Sequence, residues 1–241
     1  MVNSINVDWN RSRIMFNRLD QKDKIVYKNN KPFFKGSYQG KEYEVPIITR
    51  DSPILGGVCL GGHEREAFFV GNQSYALNDL KEKVEKRSLE NGFVKRSKIL
   101  GNIYNVVTEN LPYDSKKVDE IIKRNGKKDN LISLGNFIRN NAGICRHQAV
   151  TCGALMEMFG EDRELKWLDS NLRGKSSINR NHTPHGAHAW ARYECNDGSI
   201  VIMDVAQKFI DVLDSKETQE KINKGILWPY NKPDDSFFFN A

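Results

Sequence analysis

The sequence predicts an α+β protein, because strand-like and helical patterns occupy different stretches of the chain. Residues 24–70 form short segments rich in Val, Ile, Tyr and Phe, separated by glycines and asparagines, which is typical of strands and turns. Residues 76–141 carry apolar residues at helical spacing, and a further helical pattern runs from Cys145 to Phe159. Beyond it, two apolar runs joined by Asn196-Asp197-Gly198 predict a β-hairpin.

The composition is ordinary for a globular protein, since the 241 residues are 39% hydrophobic and 28% charged. No apolar run approaches the roughly 20 residues that a membrane-spanning helix needs, so we expect no membrane partner. The N-terminus lacks the basic and apolar regions of a Sec-type signal peptide, and we therefore expect a cytoplasmic protein. Translocation into a host cell by a route without such a signal stays open.

The net charge of +6 is spread thinly along the chain. Nucleic-acid binding favours a basic stripe interleaved with aromatic residues, or a recognisable module, and the sequence has neither, so we expect no nucleic-acid partner. The four cysteines are few for this length and irregularly spaced, which favours free thiols in a reducing compartment.

The first third of the chain predicts strands and loops. Residues 1–23 are polar, with one short helix indicated over residues 11–19. Glycine pairs flank Cys59 and predict a loop in which this cysteine is a small apolar residue. The strand-like segments are residues 25–27, 33–34, 43–48 and 67–70.

Helical patterns fill the middle of the chain. Ser74 or Asn78-Asp79 is a suitable N-cap for the first helix, and Asp114 or Ser115 for the third. The predicted helices cover residues 76–90, 94–109, 115–124 and 130–140.

After Phe159 the pattern changes again. A strand is predicted over residues 165–168, then a long polar loop over 169–186, and then the hairpin strands over 187–193 and 199–204. From residue 214 the chain predicts a polar helix and an aromatic end that includes Trp228-Pro229-Tyr230, which we expect to pack rather than to act.

One cysteine stands at the start of a helix. The spacing of Cys145, Ala149, Cys152, Met156 and Phe159 forms an apolar stripe, so Cys145 begins the face that packs on a core. A helix N-terminus carries about half a positive charge, which favours the thiolate form.

The hairpin places two further reactive side chains near each other. His188 lies near the start of its first strand and Asp204 at the end of its second, so antiparallel pairing brings them side by side. With Cys145 they meet the requirements of Cys-His-Asp catalysis, in which the cysteine attacks a carbonyl, the histidine moves protons and the aspartate orients the imidazole. The backbone N–H of Cys145 is the natural oxyanion donor.

Three sequence blocks carry a family resemblance. Residues Gly143–Ala149, Gly186–Tyr193 and Met203–Gln207 resemble the catalytic blocks of the transglutaminase-like superfamily, a branch of papain-like thiol enzymes, over about residues 95–210. The resemblance implies a helical lobe carrying the cysteine, packed on an antiparallel sheet carrying the histidine and aspartate. The family includes transglutaminases, deamidases, thiol proteases, peptide N-glycanases and bacterial effectors and toxins.

The resemblance implies a function and a domain division. The expected reaction is acyl transfer on protein amide groups, by glutamine transamidation or deamidation through a cysteine thioester, with a protein substrate and no cofactor. The alternatives are a cysteine protease of the same fold and a non-catalytic interaction domain that retains it. Residues 1–92 would form an N-terminal strand-rich region of unknown role, and residues 93–241 the catalytic domain. No Trp lies between Trp9 and Trp167, so the upstream tryptophan that some transglutaminases use near the thiol is missing.

Four further residues are candidates for binding substrate or supporting the site. Trp190 shares the strand face of His188 and predicts a wall beneath the imidazole. The other three, Gln207, Arg146 and His185, lie close to the predicted triad in sequence. His182, His185 and His188 recur every third residue, but Pro184 and Gly186 interrupt them, so we expect no metal site. His147 is expected to point away from the nucleophile and to stabilise the helix.

Overall fold

The computed structural model describes residues 24–29, 31–49, 52–61, 66–125, 131–162, 174–183, 186–195 and 197–233, without the side chains of residues 161–162 and 182–183. The structure is α+β, as predicted. Its strands are β1 Ile25–Lys28, β2 Lys31–Tyr38, β3 Lys41–Pro46, β4 Val58–Cys59, β5 Ala67–Phe69, β6 Leu89–Glu90, β7 Phe93–Val94, β8 Leu131–Ser133, β9 Gly174–Thr183, β10 Gly186–Cys195, β11 Ile200–Asp204 and β12 Phe209–Val212. Its helices are α1 Tyr75–Ser88, α2 Ile99–Asn110, α3 Ser115–Asn125, α4 Leu134–Arg139, α5 Cys145–Asp162 and α6 Lys216–Asn223. The predictions for residues 11–19 and 165–168 fall outside the described residues.

The largest described sheet is antiparallel, with the strand order β12-β11-β10-β9. The predicted hairpin is confirmed, because β10 and β11 pair on either side of the Asp197-Gly198 turn, from Glu194 opposite Ile200 to Ala191 opposite Met203. Gly198 has a φ of +86°, a left-handed conformation that glycine adopts without steric cost.

The prediction of a polar loop over residues 169–186 is wrong for its second half. Residues 174–183 form β9, which pairs with β10 along its whole length. Ser177, Asn179 and Asn181 lie on the face of β9 that is shared with His188 and Trp190 of β10, and all three are buried. Because this strand buries polar side chains against β10, it lacks the alternation of apolar residues by which strands are recognised.

Helix α5 packs on this sheet through the predicted apolar stripe. Ala149, Cys152, Met156 and Phe159 are buried in one core with Ala189, Ala191 and Met203 of the sheet. The approach is close at Gly153, where an added Cβ would lie 2.7 Å from Ile178 Cδ1 of β9. Glycine at this position therefore permits the contact between helix and strand.

The helices before α5 follow the predicted order with two corrections. Ser74 caps α1 by accepting the N–H of Leu77, and Asp114 caps α3 by accepting that of Lys117 at 2.9 Å. Helix α2 begins at Ile99 rather than at Val94, because residues 89–94 form the β6–β7 hairpin. The turn of this hairpin is Asn91-Gly92. Both residues have positive φ, which is typical of a tight two-residue hairpin turn.

The second correction concerns residues 130–140, which were predicted to form one helix. Residues 131–133 instead form β8, which pairs in parallel with β5, and only α4 is helical. Ser133 accepts the N–H of Gly135 and starts α4. The tertiary pairing with β5 overrides the helical preference of this short apolar segment.

The hydrophobic core does not divide at the predicted boundary between residues 92 and 93, which falls inside the β6–β7 hairpin. Ile54, Phe68 and Leu80 lie in the same core as α2 and α5. A smaller core lies between the sheet β1-β2-β3 and the sheet β4-β5-β8. Among the described residues, those of β4, β5 and α1 thus pack against the predicted catalytic segment.

Within the part of the chain that the structure describes, no helix is both long and apolar enough to cross a membrane.

Candidate active site

Cys145 is the first residue of α5, and the chain leading to it is fixed by backbone hydrogen bonds. The N–H of Gly143 donates to Pro112 O at 3.1 Å, and Gly143 O accepts the N–H of Asp114 at 2.9 Å. A Cβ on Gly143 would lie 2.9 Å from Leu111 Cγ, so a larger residue would displace this turn. The start of the helix is therefore held against the α2–α3 connection.

His147 fixes the same turn from the protein interior. Its Nδ1 accepts the N–H of Ile144 at 3.1 Å, and its Nε2 lies 2.9 Å from Glu66 Oε1. The imidazole ring packs against Phe68 and Phe137, at centroid distances of 4.6 and 4.0 Å. His147 therefore supports the helix start and faces away from the thiol, as predicted.

His188 and Asp204 are brought together by the β10–β11 hairpin. His188 Nε2 lies 2.5 Å from Asp204 Oδ2, and both side chains are buried. His188 also hydrogen-bonds the Cys145 thiol. Because Asp204 occupies Nε2, Nδ1 is the ring nitrogen that is left for the sulfur. The three residues thus form a continuous chain from carboxylate to imidazole to thiol.

The electrostatics of Asp204, His188 and Cys145 favour an ion pair between a thiolate and an imidazolium. Burial by itself raises the pKa of Cys145, but the hydrogen bond and charge of His188, with the backbone N–H of Ala189, lower it below its ordinary value. Burial lowers the pKa of His188, whereas Asp204 and Cys145 raise it to about 9. Both shifts stabilise a thiolate beside an imidazolium.

The other three cysteines differ from Cys145. All four are free, and Cys59, Cys152 and Cys195 are buried while Cys145 is half-buried. Burial raises the pKa of Cys152 and of Cys195. The nucleophilic form is therefore favoured at Cys145 and disfavoured at these two positions.

Two further donors hold the Asp204 carboxylate. The Tyr230 hydroxyl donates to Oδ2 at 2.8 Å, and the backbone N–H of Gln207 donates to Oδ1 at 3.1 Å. Gln207, a predicted supporting residue, contacts Asp204 through its backbone N–H, while its side chain is exposed.

The C-terminal segment packs, as predicted, and its contacts reach this site. The Trp228 ring lies 4.7 Å from the His188 ring, and its Nε1 donates to Asn181 Oδ1 at 2.5 Å. Asn181 Nδ2 in turn lies 3.3 Å from the carbonyl oxygens of Pro229 and Lys232. The aromatic and proline content of the segment was the only local signal, because these contacts arise when the tail folds back over β9 and β10.

The remaining predicted residues have different outcomes. Trp190 is fully buried with its ring 6.2 Å from that of His188, on the same face of the sheet as predicted. Arg146 does not line the site. It is buried on the other side of α5, where Nη1 donates to Glu66 O at 2.8 Å and Nη2 pairs with the Glu66 carboxylate. His185 lies outside the described residues.

Among the described residues, no three His, Cys, Asp or Glu side chains are arranged to hold a metal ion. The His182 side chain and His185 are outside that set.

Comparison of the chain with models of protein families, with curated proteins and with solved structures finds no match.

Proposed function

We propose that the protein is a transglutaminase-like thiol enzyme that transfers the acyl group of protein amides through a thioester on Cys145. The observation that carries this proposal is the chain of hydrogen bonds from Asp204 through His188 to the thiol at the N-terminus of α5. The packing of α5 on the antiparallel sheet β12-β11-β10-β9 also supports a papain-like, transglutaminase-like fold.

In the first half of the reaction, the Cys145 thiolate attacks the carbonyl carbon of the amide. The new C–S bond makes a tetrahedral intermediate, whose oxyanion accepts the backbone N–H of Cys145 at the helix start. The His188 imidazolium gives its proton to the departing nitrogen, the C–N bond breaks, and ammonia or an amine leaves a thioester behind.

In the second half, neutral His188 takes a proton from water or from an acceptor amine as that molecule attacks the thioester. The C–S bond breaks and the thiolate–imidazolium pair is restored. Asp204 keeps the imidazole ring oriented through both halves, because its carboxylate accepts a hydrogen bond from the Nε2–H group. Water as the acceptor gives deamidation, and an amine gives transamidation.

The proposed substrate is a glutamine side chain on another protein. Its primary amide releases ammonia, which escapes from the site and drives the first half forward. Hydrolysis of a peptide bond, as in a cysteine protease, and retention of the fold without turnover are the outcomes that would replace this proposal.

The first test is alkylation of Cys145 by iodoacetamide at neutral pH, followed residue by residue by mass spectrometry. We expect Cys145 to react at least about tenfold faster than Cys59 or Cys195, and His188→Ala to abolish the difference, because the imidazolium lowers the pKa of the thiol. Cys145→Ala identifies the background. Labelling of Cys145 no faster than that of the buried cysteines would refute an activated thiol.

The second step of the test identifies the reaction. A glutamine-rich protein such as casein is incubated with the enzyme, with and without a labelled primary amine. Ammonia release or amine incorporation that requires Cys145 supports the proposal. New peptide termini would favour proteolysis, and a reactive Cys145 without turnover would favour a binding role.

A further inference from the structure

The Asp204 carboxylate has a partner from outside the hairpin. Tyr230 lies after α6, yet its hydroxyl donates to Oδ2, the same oxygen that contacts His188 Nε2. The N–H of Gln207 holds the other oxygen, Oδ1. The three donors therefore fix the rotation of the carboxylate about its bond to Cβ, with Oδ2 toward the imidazole.

Tyr230 is itself fixed on two sides. Its ring is stacked on Phe209 with centroids 5.3 Å apart, and it meets Trp190 edge-on at 5.3 Å. Tyr230 is 1% exposed, so its hydroxyl has no competing contact with bulk solvent. Burial and the nearby Asp204 raise the pKa of Tyr230. The hydroxyl therefore stays protonated, and remains a hydrogen-bond donor, at every pH at which the enzyme is stable.

The backbone around Tyr230 is anchored beside the histidine. Trp228 donates to Asn181 Oδ1, and Asn181 is the residue of β9 that pairs with His188 of β10. The amide of Asn181 also approaches the carbonyl oxygens of Pro229 and Lys232. The segment Trp228–Lys232 is thus held by hydrogen bonds to the strand next to His188, on both sides of Tyr230.

We propose that Tyr230 is a positioning residue of the active site, whose hydroxyl holds Asp204 in the rotation that supports the His188 imidazolium. The proposal rests on the proposed function, since it assigns Tyr230 a role in the same thiolate–imidazolium pair. Without the hydroxyl, Oδ2 keeps only the His188 donor, and two donors instead of three hold the carboxylate against rotation away from Nε2. The imidazolium and, through it, the thiolate then lose stabilisation.

Other titratable groups near Asp204 do not obscure this effect. Tyr104 of α2 and Cys152 of α5 are shifted by burial and by the charge of Asp204, and both pKa values are raised. Both groups therefore remain neutral while the Cys145–His188 pair titrates.

The test compares the wild-type protein with Tyr230→Phe, which keeps the ring packing and removes only the hydroxyl. The pKa of His188 is measured by NMR of the imidazole, and the iodoacetamide rate of Cys145 is measured from about pH 5 to about pH 10. We expect the pKa of His188 to fall from about 9 toward its ordinary value of 6.5. The alkylation rate at neutral pH should fall at least about tenfold, with the acid limb moving to higher pH.

Tyr193→Phe is the matched control, because Tyr193 is buried like Tyr230. Tyr193 lies on β10, and its side chain belongs to the main core, on the face of the sheet opposite to His188 and Trp190. It should leave both profiles unchanged. A second measurement places Tyr230→Phe in an Asp204→Asn background. If Tyr230 acts through Asp204, it should there change the alkylation rate by less than about twofold.

The outcomes separate the two proposals. A wild-type Cys145 that titrates as an ordinary thiol overturns the proposed function and the role of Tyr230 with it. A wild-type ion pair that persists in Tyr230→Phe, or a His188 pKa that rises in this variant, overturns the role of Tyr230 alone. The role of Tyr230 is also contradicted if Tyr230→Phe lowers the alkylation rate of Cys145 as much in the Asp204→Asn background as in the wild type.

Discussion

His188 takes its chemical character from the two side chains that it contacts. Burial alone would lower its pKa, but Asp204 at 2.5 Å and Cys145 raise it from 6.5 to about 9. Because the folded pKa lies above the unfolded one, this interaction stabilises the fold fully below about pH 6.5 and is lost as pH rises through about 9. The same window bounds the imidazolium that the proposed reaction needs as a proton donor.

Asp204→Asn tests this dependence at a single residue. The amide keeps the shape of the carboxylate but removes its charge, so we expect the pKa of His188 to fall toward 6.5 and the acyl-transfer rate to drop about 10²- to 10⁴-fold. The measurement is the pH profile of ammonia release. Asp119→Asn on α3, where the residue is exposed, is the control and should behave like the wild type. An unchanged profile in Asp204→Asn would contradict the assignment of Asp204.

At the scale of elements, helix α5 has two roles. Its first turn carries Cys145, and its C-terminal half carries Glu157, which contacts the N-terminal region. The Glu157 carboxylate accepts the N–H of Ile54 at 2.8 Å and that of Leu55 at 2.8 Å. These donors belong to the loop before β4, and Ile54 is buried in the main core. A single side chain thus satisfies two backbone donors and ties this loop to α5.

Glu157→Ala removes both acceptors and leaves the two N–H groups without them. We expect a loss of about 1–3 kcal/mol in the free energy of unfolding, measured by urea denaturation, because half-buried donors lose charged partners. Glu82→Ala on the exposed face of α1 should change stability by less than about 0.5 kcal/mol. Equal stability of the two variants would show that this contact contributes nothing.

At the scale of the whole molecule, a buried charge cluster joins the two halves of the chain. Glu66, just before β5, pairs with Arg146 and His147 in the first turn of α5, and Arg146 also lies 5.0 Å from the centre of the Phe68 ring. Burial by itself raises the pKa of Glu66, but Arg146 and His147 lower it from 4.5 to about 2. The cluster lies directly beneath the turn that presents Cys145.

The low pKa of Glu66 makes stability depend on acid. Because the folded pKa lies below the unfolded one, the stabilisation is present above about pH 4.5 and is lost as pH falls through about 2. A shift of this size corresponds to roughly 3 kcal/mol. Glu66→Gln should therefore lose about 3–5 kcal/mol near neutral pH, since Arg146 becomes an unpaired buried charge.

The free energy of unfolding of Glu66→Gln, measured by urea at several pH values, should vary less between about pH 5 and about pH 2 than that of the wild type. Glu82→Gln is the matched control and should retain the wild-type dependence. A parallel loss of stability at every pH would show that the ionisation of Glu66 is not what stabilises the contact.

Local sequence patterns were sufficient to predict several helices and strands. They also predicted the elements that carry Cys145, His188 and Asp204. The stripe from Cys145 to Phe159 predicted α5, and the Asp197-Gly198 turn predicted the hairpin that joins His188 to Asp204, because both signals depend on neighbours within a few residues. The β6–β7 turn at Asn91-Gly92 carried an equally local signal, which lay between two predicted helices.

The features that were missed depend on distant partners. β9 is recognised only through its pairing with β10, since its buried side chains other than Ile178 are polar, and β8 is recognised only through its pairing with β5. Arg146 has the position of a site residue in sequence, but Glu66, 80 residues away, draws it to the opposite side of α5.

The sequence alone determined that a cysteine begins a helix and that a histidine and an aspartate flank one hairpin, since helical and strand periodicity are written in consecutive residues. Only the tertiary structure decided what surrounds them. Trp228 and Tyr230 reach the site because the tail folds over β9 and β10, and their long-range contacts leave no periodic trace in the chain.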